Sequence, residues 1–221
     1  MRVLSTKKLS LAQQELILNS GIAFVDYNAI KIEFLDFLVT NWTKNVIFSS
    51  KNAVRSFLKN SRYTYTYSNL RCFCVGEKTA ALIEENGLKL KKMAKNSKEL
   101  ANFIQNSYKN EDFTYFCGNL RRDELPSALK LAEITLFEVK TYETKLNPVK
   151  FDQKWDGILF FSPSGIQSYT LKNKINNVAV FCIGATTASE AKKHTENIHI
   201  ANSTSVESVI AKAVKTLKKH D

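Results

Sequence analysis

Small polar residues at helix starts are where this chain is best equipped to do chemistry. Gly76-Glu77-Lys78-Thr79-Ala80 and Gly184-Ala185-Thr186-Thr187-Ala188 each follow a short apolar run and open a segment of helical spacing. A helix N-terminus leaves its first N–H groups unpaired and carries the positive end of the helix dipole, so it suits an anion. Glycine there lets the backbone come close to a ligand, and a Thr hydroxyl adds a donor. Alternatively, Thr79 and Thr187 only cap their helices. One unit earlier, Ser49-Ser50-Lys51-Asn52 and Ser162-Pro163-Ser164-Gly165 make the same construction, with Pro163 suited to a first helical turn. Ordinary N-capping is again the alternative for Ser50 and Ser162.

A third strand-end turn, Phe116-Cys117-Gly118-Asn119-Leu120-Arg121-Arg122-Asp123-Glu124-Leu125-Pro126, carries paired arginines. Arg121 and Arg122 either grip carboxylates or phosphates in fork geometry or pair with Asp123 and Glu124 at the surface. There is no G-x-G-x-x-G and no G-x-x-x-x-G-K-[ST], so dinucleotide or nucleoside triphosphate binding is unsupported. His194, His199 and His220 are scattered, without metal spacing or a nucleophile partner, and read as surface or helix-end residues. Cys72, Cys74, Cys117 and Cys182 sit in apolar runs without zinc or redox spacing, as buried structural thiols do. No metal site is expected, and no disulfide framework.

These turns need elements to hold them, and the elements repeat. Phe73-Cys74-Val75-Gly76 returns as Phe181-Cys182-Ile183-Gly184, and Ile47-Phe48-Ser49-Ser50 aligns on Leu159-Phe160-Phe161-Ser162. Short apolar, β-branched or aromatic runs at 1–4, 45–49, 72–75, 113–117, 134–142, 157–161, 178–183 and 197–201 read as strands. Helical segments lie between them. Leu9, Ala12, Leu16 and Ile17 form one stripe, and Ala80, Leu82 and Ile83 another that Gly87 ends. A last helix shows Val206, Val209, Ile210, Ala213, Val214 and Leu217 on one face, with a capping box expected at Thr204-Ser205-Val206-Glu207. Strand and helix alternation implies parallel sheets covered on both sides.

The repeat does not tile the chain end to end. Arg2-Val3-Leu4 precedes the first copy, and the segments around Tyr27–Glu33 and Phe137–Thr144 alternate with period two without a helical partner. They are expected to be connectors through which the chain leaves one lobe and returns. The fold class is then α/β, with two lobes of parallel sheet flanked by helices and joined by a two-stranded β-ladder linker. Residues 1–30 and 146–221 would form a discontinuous lobe, 34–141 an inserted one, and 30–34 and 141–146 the linker strands, a natural hinge.

The chain has 221 residues, 44% of them hydrophobic, enough for two cores of about 100 residues each. No run of roughly 18 apolar residues spans a membrane, and the first residues lack a signal-peptide core, so a cytoplasmic protein is expected. The formal net charge of +11 favours acidic partners. Its lysines (Lys89, Lys91, Lys92, Lys95, Lys98; Lys212, Lys215, Lys218, Lys219) are spread out, without an Arg-rich tract or RNA-binding signature. A solvated surface, a polyanionic small molecule and a nucleic acid all remain compatible with that charge.

In order, Ile47-Phe48-Ser49-Ser50, Val75-Gly76-Glu77-Lys78-Thr79-Ala80, Phe116–Pro126, Tyr142-Glu143-Thr144, Phe160-Phe161-Ser162-Pro163-Ser164-Gly165 and Ile183-Gly184-Ala185-Thr186-Thr187-Ala188 resemble the uroporphyrinogen-III synthase family. The resemblance implies two α/β lobes on a β-ladder with the active site in the cleft between them. It implies a hydro-lyase of tetrapyrrole, porphyrin and heme biosynthesis that closes the linear hydroxymethylbilane to uroporphyrinogen III, inverting ring D and losing water. No metal or cofactor is implied. The hydroxymethyl group leaves to give an azafulvene cation, and a spiro-pyrrolenine intermediate re-closes. The family's tyrosine falls on Tyr142, where a phenol can donate to the departing hydroxyl. The family's cleft-lining positions fall on Ser162 and Thr187, with Thr79 the equivalent in the other lobe and Lys7 where many members place a basic residue. Ser50, Ser164, Gly165 and Thr186, from the same helix-starting turns, complete the expected substrate-binding set.

An octacarboxylate substrate suits helix-start turns in a basic field. The resemblance implies a small-molecule partner. No nucleic acid and no membrane are expected, and with no exposed apolar heptad or long unpaired edge in the sequence the default is a monomer, with room for a transient contact with the preceding pathway enzyme. The rivals are a non-catalytic two-lobe binder of an anionic ligand, or a paralogue that has lost the chemistry, and a basic nucleic-acid binder.

Overall fold

Apolar runs of four to six residues, each followed by a helix-starting turn, pair side by side rather than hairpin on themselves, because each helix carries the chain back across its sheet. A computed structural model describes residues 1–60, 62 and 69–218; Lys219 and His220 lie outside the described residues. The chain opens with β1 (Arg2–Ser5), α1 (Leu11–Leu18), β2 (Ala23–Asp26) and β3 (Ile30–Phe34). It continues through β4 (Asn45–Phe48), α2 (Lys51–Lys59), β5 (Arg71–Val75), α3 (Glu77–Glu85), β6 (Leu90–Ala94), α4 (Ser97–Ser107), β7 (Phe113–Gly118) and α5 (Glu124–Leu131). The long β8 (Leu136–Leu146) leads to β9 (Gly157–Phe160), α6 (Pro163–Thr170), β10 (Ala179–Cys182), α7 (Ala185–Ala191), β11 (Ile198–Ile200) and α8 (Val206–Leu217).

Two compact units result: Met1–Lys31 with Lys145–Asp221, and Ile32–Thr144. The first holds a five-stranded sheet of order β11-β10-β9-β1-β2, parallel at every pairing. The second holds the sheet β3-β8-β7-β4-β5-β6, parallel from β8 to β6. The chain crosses from unit to unit inside β3 and inside β8. Leu35 N–H donates to the Thr141 carbonyl (2.9 Å) and Asn147 N–H to that of Ala29 (2.8 Å), so one strand's numbering rises as the other's falls, the mark of an antiparallel pair.

Alternation along each strand builds a core on both faces. On β4, Val46 and Phe48 join Phe57, Cys74 and Phe116 on one side, while Ile47 joins Phe73, Phe113 and Leu129 on the other. In the other unit, Ile158 and Phe160 pack with Cys182 and Tyr169, while Leu159 packs with Phe181 and α8. The repeated residues therefore occupy matching places: Cys74 and Cys182 face one layer of helices, Phe73 and Phe181 the other. Rings of Phe48, Phe57 and Phe116 lie 5.0–5.4 Å apart. Each fully buried ring contributes roughly 1.5–3 kcal/mol.

Several local expectations change. β2 and β6 are strands that the apolar-run pattern passes over. Both are edge strands, and β6 carries Lys91 and Lys92, a composition that discourages edge pairing but hides a strand among apolar runs. The stripe on α1 is not the expected one: Leu9 precedes the helix, Leu16 is 48% exposed, and only Ile17 is buried within it. The capping box belongs to α1, where Ser10 and Gln13 exchange bonds, and not to α8. α8 is capped one residue later, by Ser205, whose hydroxyl takes the Ser208 N–H at 3.1 Å; this puts Ser208 rather than Glu207 at the third helical position, and Glu207 accepts from Gln13 Nε2 at 2.6 Å. Its apolar face is otherwise as expected, with Val209, Ile210, Ala213 and Leu217 buried.

Candidate functional site

In an open parallel sheet, ligands sit at the carboxyl ends of the strands where the strand order reverses. In the Ile32–Thr144 unit the chain runs outward from β4 through β5 to β6 and then returns to the other side of β4, so the reversal lies between β4 and β7. Register fixes what meets there. Phe48 pairs with Phe116 and with Cys74, and Gly118 with Tyr142. Two residues past Phe48 the row reads Tyr142, Gly118, Ser50, Gly76 across β8, β7, β4 and β5.

Tyr142 and Ser50 meet across that row, with the phenol oxygen 2.9 Å from Ser50 Oγ. Between them lies Gly118. A Cβ there would come within 2.4 Å of Tyr142 Cζ and 2.5 Å of Cε2, so only glycine admits the ring in this position. Ser50 is also the N-cap of α2, accepting the Ala53 N–H at 3.3 Å. Its capping role and its bond to Tyr142 thus coexist. Beside it the Ser49 hydroxyl is buried and, among the described residues, has no hydrogen-bond partner. Thr141, one residue before Tyr142, is held from both sides: its carbonyl accepts from Ser56 Oγ (2.6 Å) and its hydroxyl donates to the Cys117 carbonyl (3.3 Å).

Thr79 is buried at the third position of α3, and the N-cap is Gly76. Gly184 caps α7 in the same way, placing Thr186 second and the buried Thr187 third. Neither Thr79 nor Thr187 is the N-cap of its helix, contrary to the capping alternative. The two glycines differ: Gly76 has φ +88°, a left-handed conformation, whereas Gly184 is extended at −176°.

In the other unit the strand order reverses between β1 and β9. Thr6 follows β1 and its hydroxyl donates to the Leu159 carbonyl at 2.8 Å, while Ser162 follows β9. Ser162 caps α6 by accepting the Gly165 N–H at 3.0 Å and shares a hydrogen bond with Ser164 at 3.1 Å. Gly165 lies close to Ser162 and Thr6: a Cβ would stand 3.3 Å from Ser162 Oγ, a tight approach, and 3.5 Å from Thr6 Oγ1, an ordinary contact. Lys7 is exposed in the same turn, which Asp26 ties down by accepting from Lys8 Nζ and the Leu9 N–H, both at 2.9 Å. Continuing the β9–β10 register puts Gly184 beside Ser162, and Thr186 and Thr187 follow in the first turn of α7.

The candidates therefore sort by unit. Lys7, Ser162, Ser164, Gly165, Thr186 and Thr187 share the strand ends of one sheet, and Ser50, Thr79 and Tyr142 those of the other. Gly118, Thr6 and Asp26 were missing from the sequence-derived set. Gly118 had a signal, since it ends an apolar strand as Gly76 does; the other two become visible only through pairing.

Other groups are engaged elsewhere. Arg121 is held by Asp123 and by both oxygens of Glu138 (2.9 Å to Oε1), which raises its pKa further and closes its fork to a ligand. Its partners are Asp123 and Glu138, not Glu124. Burial pushes the thiols of Cys72, Cys74 and Cys182 up to about 12 and that of Cys117 up to about 11, so all four are neutral rather than nucleophilic. The His199 ring stacks on Phe181 and His194 is exposed. Among the described residues no group of three His, Cys, Asp or Glu gathers at metal-binding range.

Comparison with solved structures places this architecture. A uroporphyrinogen-III synthetase from Helicobacter pylori superposes with a TM-score of 0.77 at 19% identity, covering 98% of this chain and 100% of that one. A mutant uroporphyrinogen III synthase from the extremely thermophilic bacterium Thermus thermophilus gives 0.70 at 12% identity, covering both chains fully. At these identities the likeness is one of fold. Comparison with curated protein sequences finds no significant match. The family model described as uroporphyrinogen-III synthase HemD matches residues 12–211. A match over so much of the sequence, on a fold these solved structures share, means that the chain belongs to the uroporphyrinogen-III synthase family.

Proposed function

We propose that this protein closes hydroxymethylbilane to uroporphyrinogen III, inverting ring D and releasing water. Family membership over residues 12–211 carries the overall reaction, formation of uroporphyrinogen III by a hydro-lyase of the heme pathway. It favours an enzyme over a non-catalytic anion binder or a nucleic-acid binder.

Tyr142 is the proposed catalytic residue. In the proposed arrangement Ser50, whose Oγ accepts the Ala53 N–H, donates its own proton to the phenol oxygen. That orientation leaves the Tyr142 proton for the departing hydroxyl of the substrate, which then leaves as water. The substrate supplies its own nucleophile, a pyrrole carbon, so the protein's task is to fold the chain and hold its ends together.

The strand-end turns are the proposed carboxylate grips: Ser50 and Thr79 in one unit; Ser162, Ser164, Gly165, Thr186, Thr187 and Lys7 in the other. Unpaired N–H groups of the first helical turns, hydroxyls and one exposed lysine match acetate and propionate groups. A monomeric cytoplasmic enzyme that meets the preceding pathway enzyme only in passing completes the proposal. No helix among the described residues is long and apolar enough to cross a membrane.

The test is product identity. Fresh hydroxymethylbilane is supplied, the products are oxidised and the porphyrin isomers separated. Isomer III is expected to dominate. A product that is mainly isomer I, as forms without protein, overturns the proposal.

A further inference from the structure

A cavity of about 680 Å³ opens at the opposite end of the β9 and β10 strands from Ser162 and Gly184. It is framed by the segment leading into β9 and the segment between α6 and β10. A four-residue strand is roughly 13 Å long, so this cavity is separate from the strand-end turns of the same unit. None of the proposed substrate grips lines it.

Its lining has two chemistries. The rim carries Lys150, Lys154, Lys172 and Lys174, and no carboxylate lines the cavity. Among the described residues none of these lysines is ion-paired. Asp156 lies close in sequence but accepts the Arg2 N–H at 2.6 Å. The floor is aromatic. Trp155 and Tyr169 are 7% and 3% exposed, and the Phe151 ring lies 5.7 Å from Trp155 and 6.4 Å from Tyr169.

The frame is built rather than incidental. Asn173 is buried and cross-ties its two sides, accepting the Phe151 N–H at 2.9 Å and donating to the carbonyls of Val149 (2.7 Å) and Tyr169 (3.0 Å). Among the described residues the buried Trp155 indole N–H has no hydrogen-bond partner. Cation-rimmed aromatic pockets of a few hundred Å³ fit flat, charged molecules: rings stack on the floor and anionic groups meet the ammonium groups.

We propose that this cavity is a second binding site, for a small ring-bearing polyanion whose acidic groups are carboxylates or phosphates. The ring rests against Phe151, which Trp155 backs, and the anionic groups reach Lys154 and Lys172. Nothing in the site supplies a reacting group, so its role is binding.

Trp155 can report on it directly, because the chain has 2 tryptophans and Trp42 can be changed to Phe. Fluorescence of the W42F protein is titrated at constant ionic strength with benzenehexacarboxylate, with ATP, and with sulfate as charge without a ring. Saturable quenching by either ring compound, weakened at least 10-fold in a K154E/K172E variant, is expected. Which of the two binds tells carboxylate from phosphate as the natural group. Porphyrin formation by K154E/K172E is expected to match the parent. If neither ring compound saturates the signal, if sulfate acts equally, or if K154E/K172E responds like the parent, there is no such site.

Discussion

The phenol oxygen of Tyr142 stands 2.9 Å from Ser50 Oγ although 92 positions separate them in the chain. The bond passes over Gly118, whose missing side chain leaves room for the ring. A capping serine, a tyrosine and a glycine from three adjacent strands thus form one arrangement at the point where the strand order reverses.

Tyr142→Phe keeps the ring over Gly118 and removes only the hydroxyl. If the phenol donates to the leaving group, turnover falls by roughly 100-fold, the low end for general acid catalysis. Stability changes by about 1 kcal/mol or less, the net worth of one hydrogen bond. Steady-state kinetics alongside urea unfolding separates the two effects. Unchanged turnover would make Tyr142 a structural residue of β8.

Gly118→Ala tests the seat itself. Its Cβ collides with the Tyr142 ring, so the ring must leave, at a cost of about 1–3 kcal/mol. Turnover is expected to drop at least as far as in Tyr142→Phe. Adding Tyr142→Ala to Gly118→Ala should recover part of the stability and none of the activity. Full activity in Gly118→Ala alone would show that the ring position does not matter.

Ser50→Ala loses an N-cap as well as the tyrosine's partner. The cap accounts for about 1 kcal/mol of stability. Ser162→Ala loses a comparable cap at α6 with no tyrosine attached. Both should be destabilised alike, whereas only Ser50→Ala should be non-additive with Tyr142→Phe in a double-mutant cycle on kcat. Additive effects at Ser50 are the outcome that dissociates it from Tyr142.

The matched glycines of the repeated turn should respond differently. Gly76→Ala places a side chain at φ +88°, costing roughly 1–2 kcal/mol with nothing nearby to collide with. Gly184 is extended, and a Cβ there meets only Thr204 Cγ2 at 3.6 Å, so Gly184→Ala should change the unfolding midpoint little. Equal losses at the two positions would contradict the backbone geometry.

The four buried thiols make stability depend on alkaline pH. Desolvation holds Cys72, Cys74 and Cys182 protonated up to about 12 and Cys117 up to about 11, whereas unfolded thiols ionise near 8.5. Between these values the unfolded state binds fewer protons than the folded one, so this contribution is complete below about pH 8.5 and is lost as pH rises through the folded values. Urea midpoints in reductant should fall from pH 8 to pH 10. Iodoacetamide at pH 8 should label the cysteines in urea and leave the native protein unmodified; rapid native labelling would place a thiol at the surface.

Much of the fold is legible in the sequence because it is local. Apolar runs such as Ile47-Phe48 and Phe181-Cys182 alternate between two cores, and serines or glycines at their ends start helices; both patterns lie within ten residues. The edge strands β2 and β6 escape this reading, although the edge strand β11 does not; β6 carries lysines where a central strand carries apolar residues. Caps are only partly legible: Ser10 and Gln13 complete a capping box in α1, while α8 is capped by Ser205 rather than Thr204, so Glu207 falls one position short of the box and meets Gln13 of α1 instead. The sequence by itself therefore determined the parallel α/β class, the repeated strand-to-helix turns and the residue types available there. Only the tertiary structure decided that Tyr142, Gly118 and Ser50 stand in one row, that Arg121 is closed by Glu138, and that Thr6 meets Gly165. Those relationships depend on strand order and register, which join residues far apart in the chain and leave no periodic trace within it.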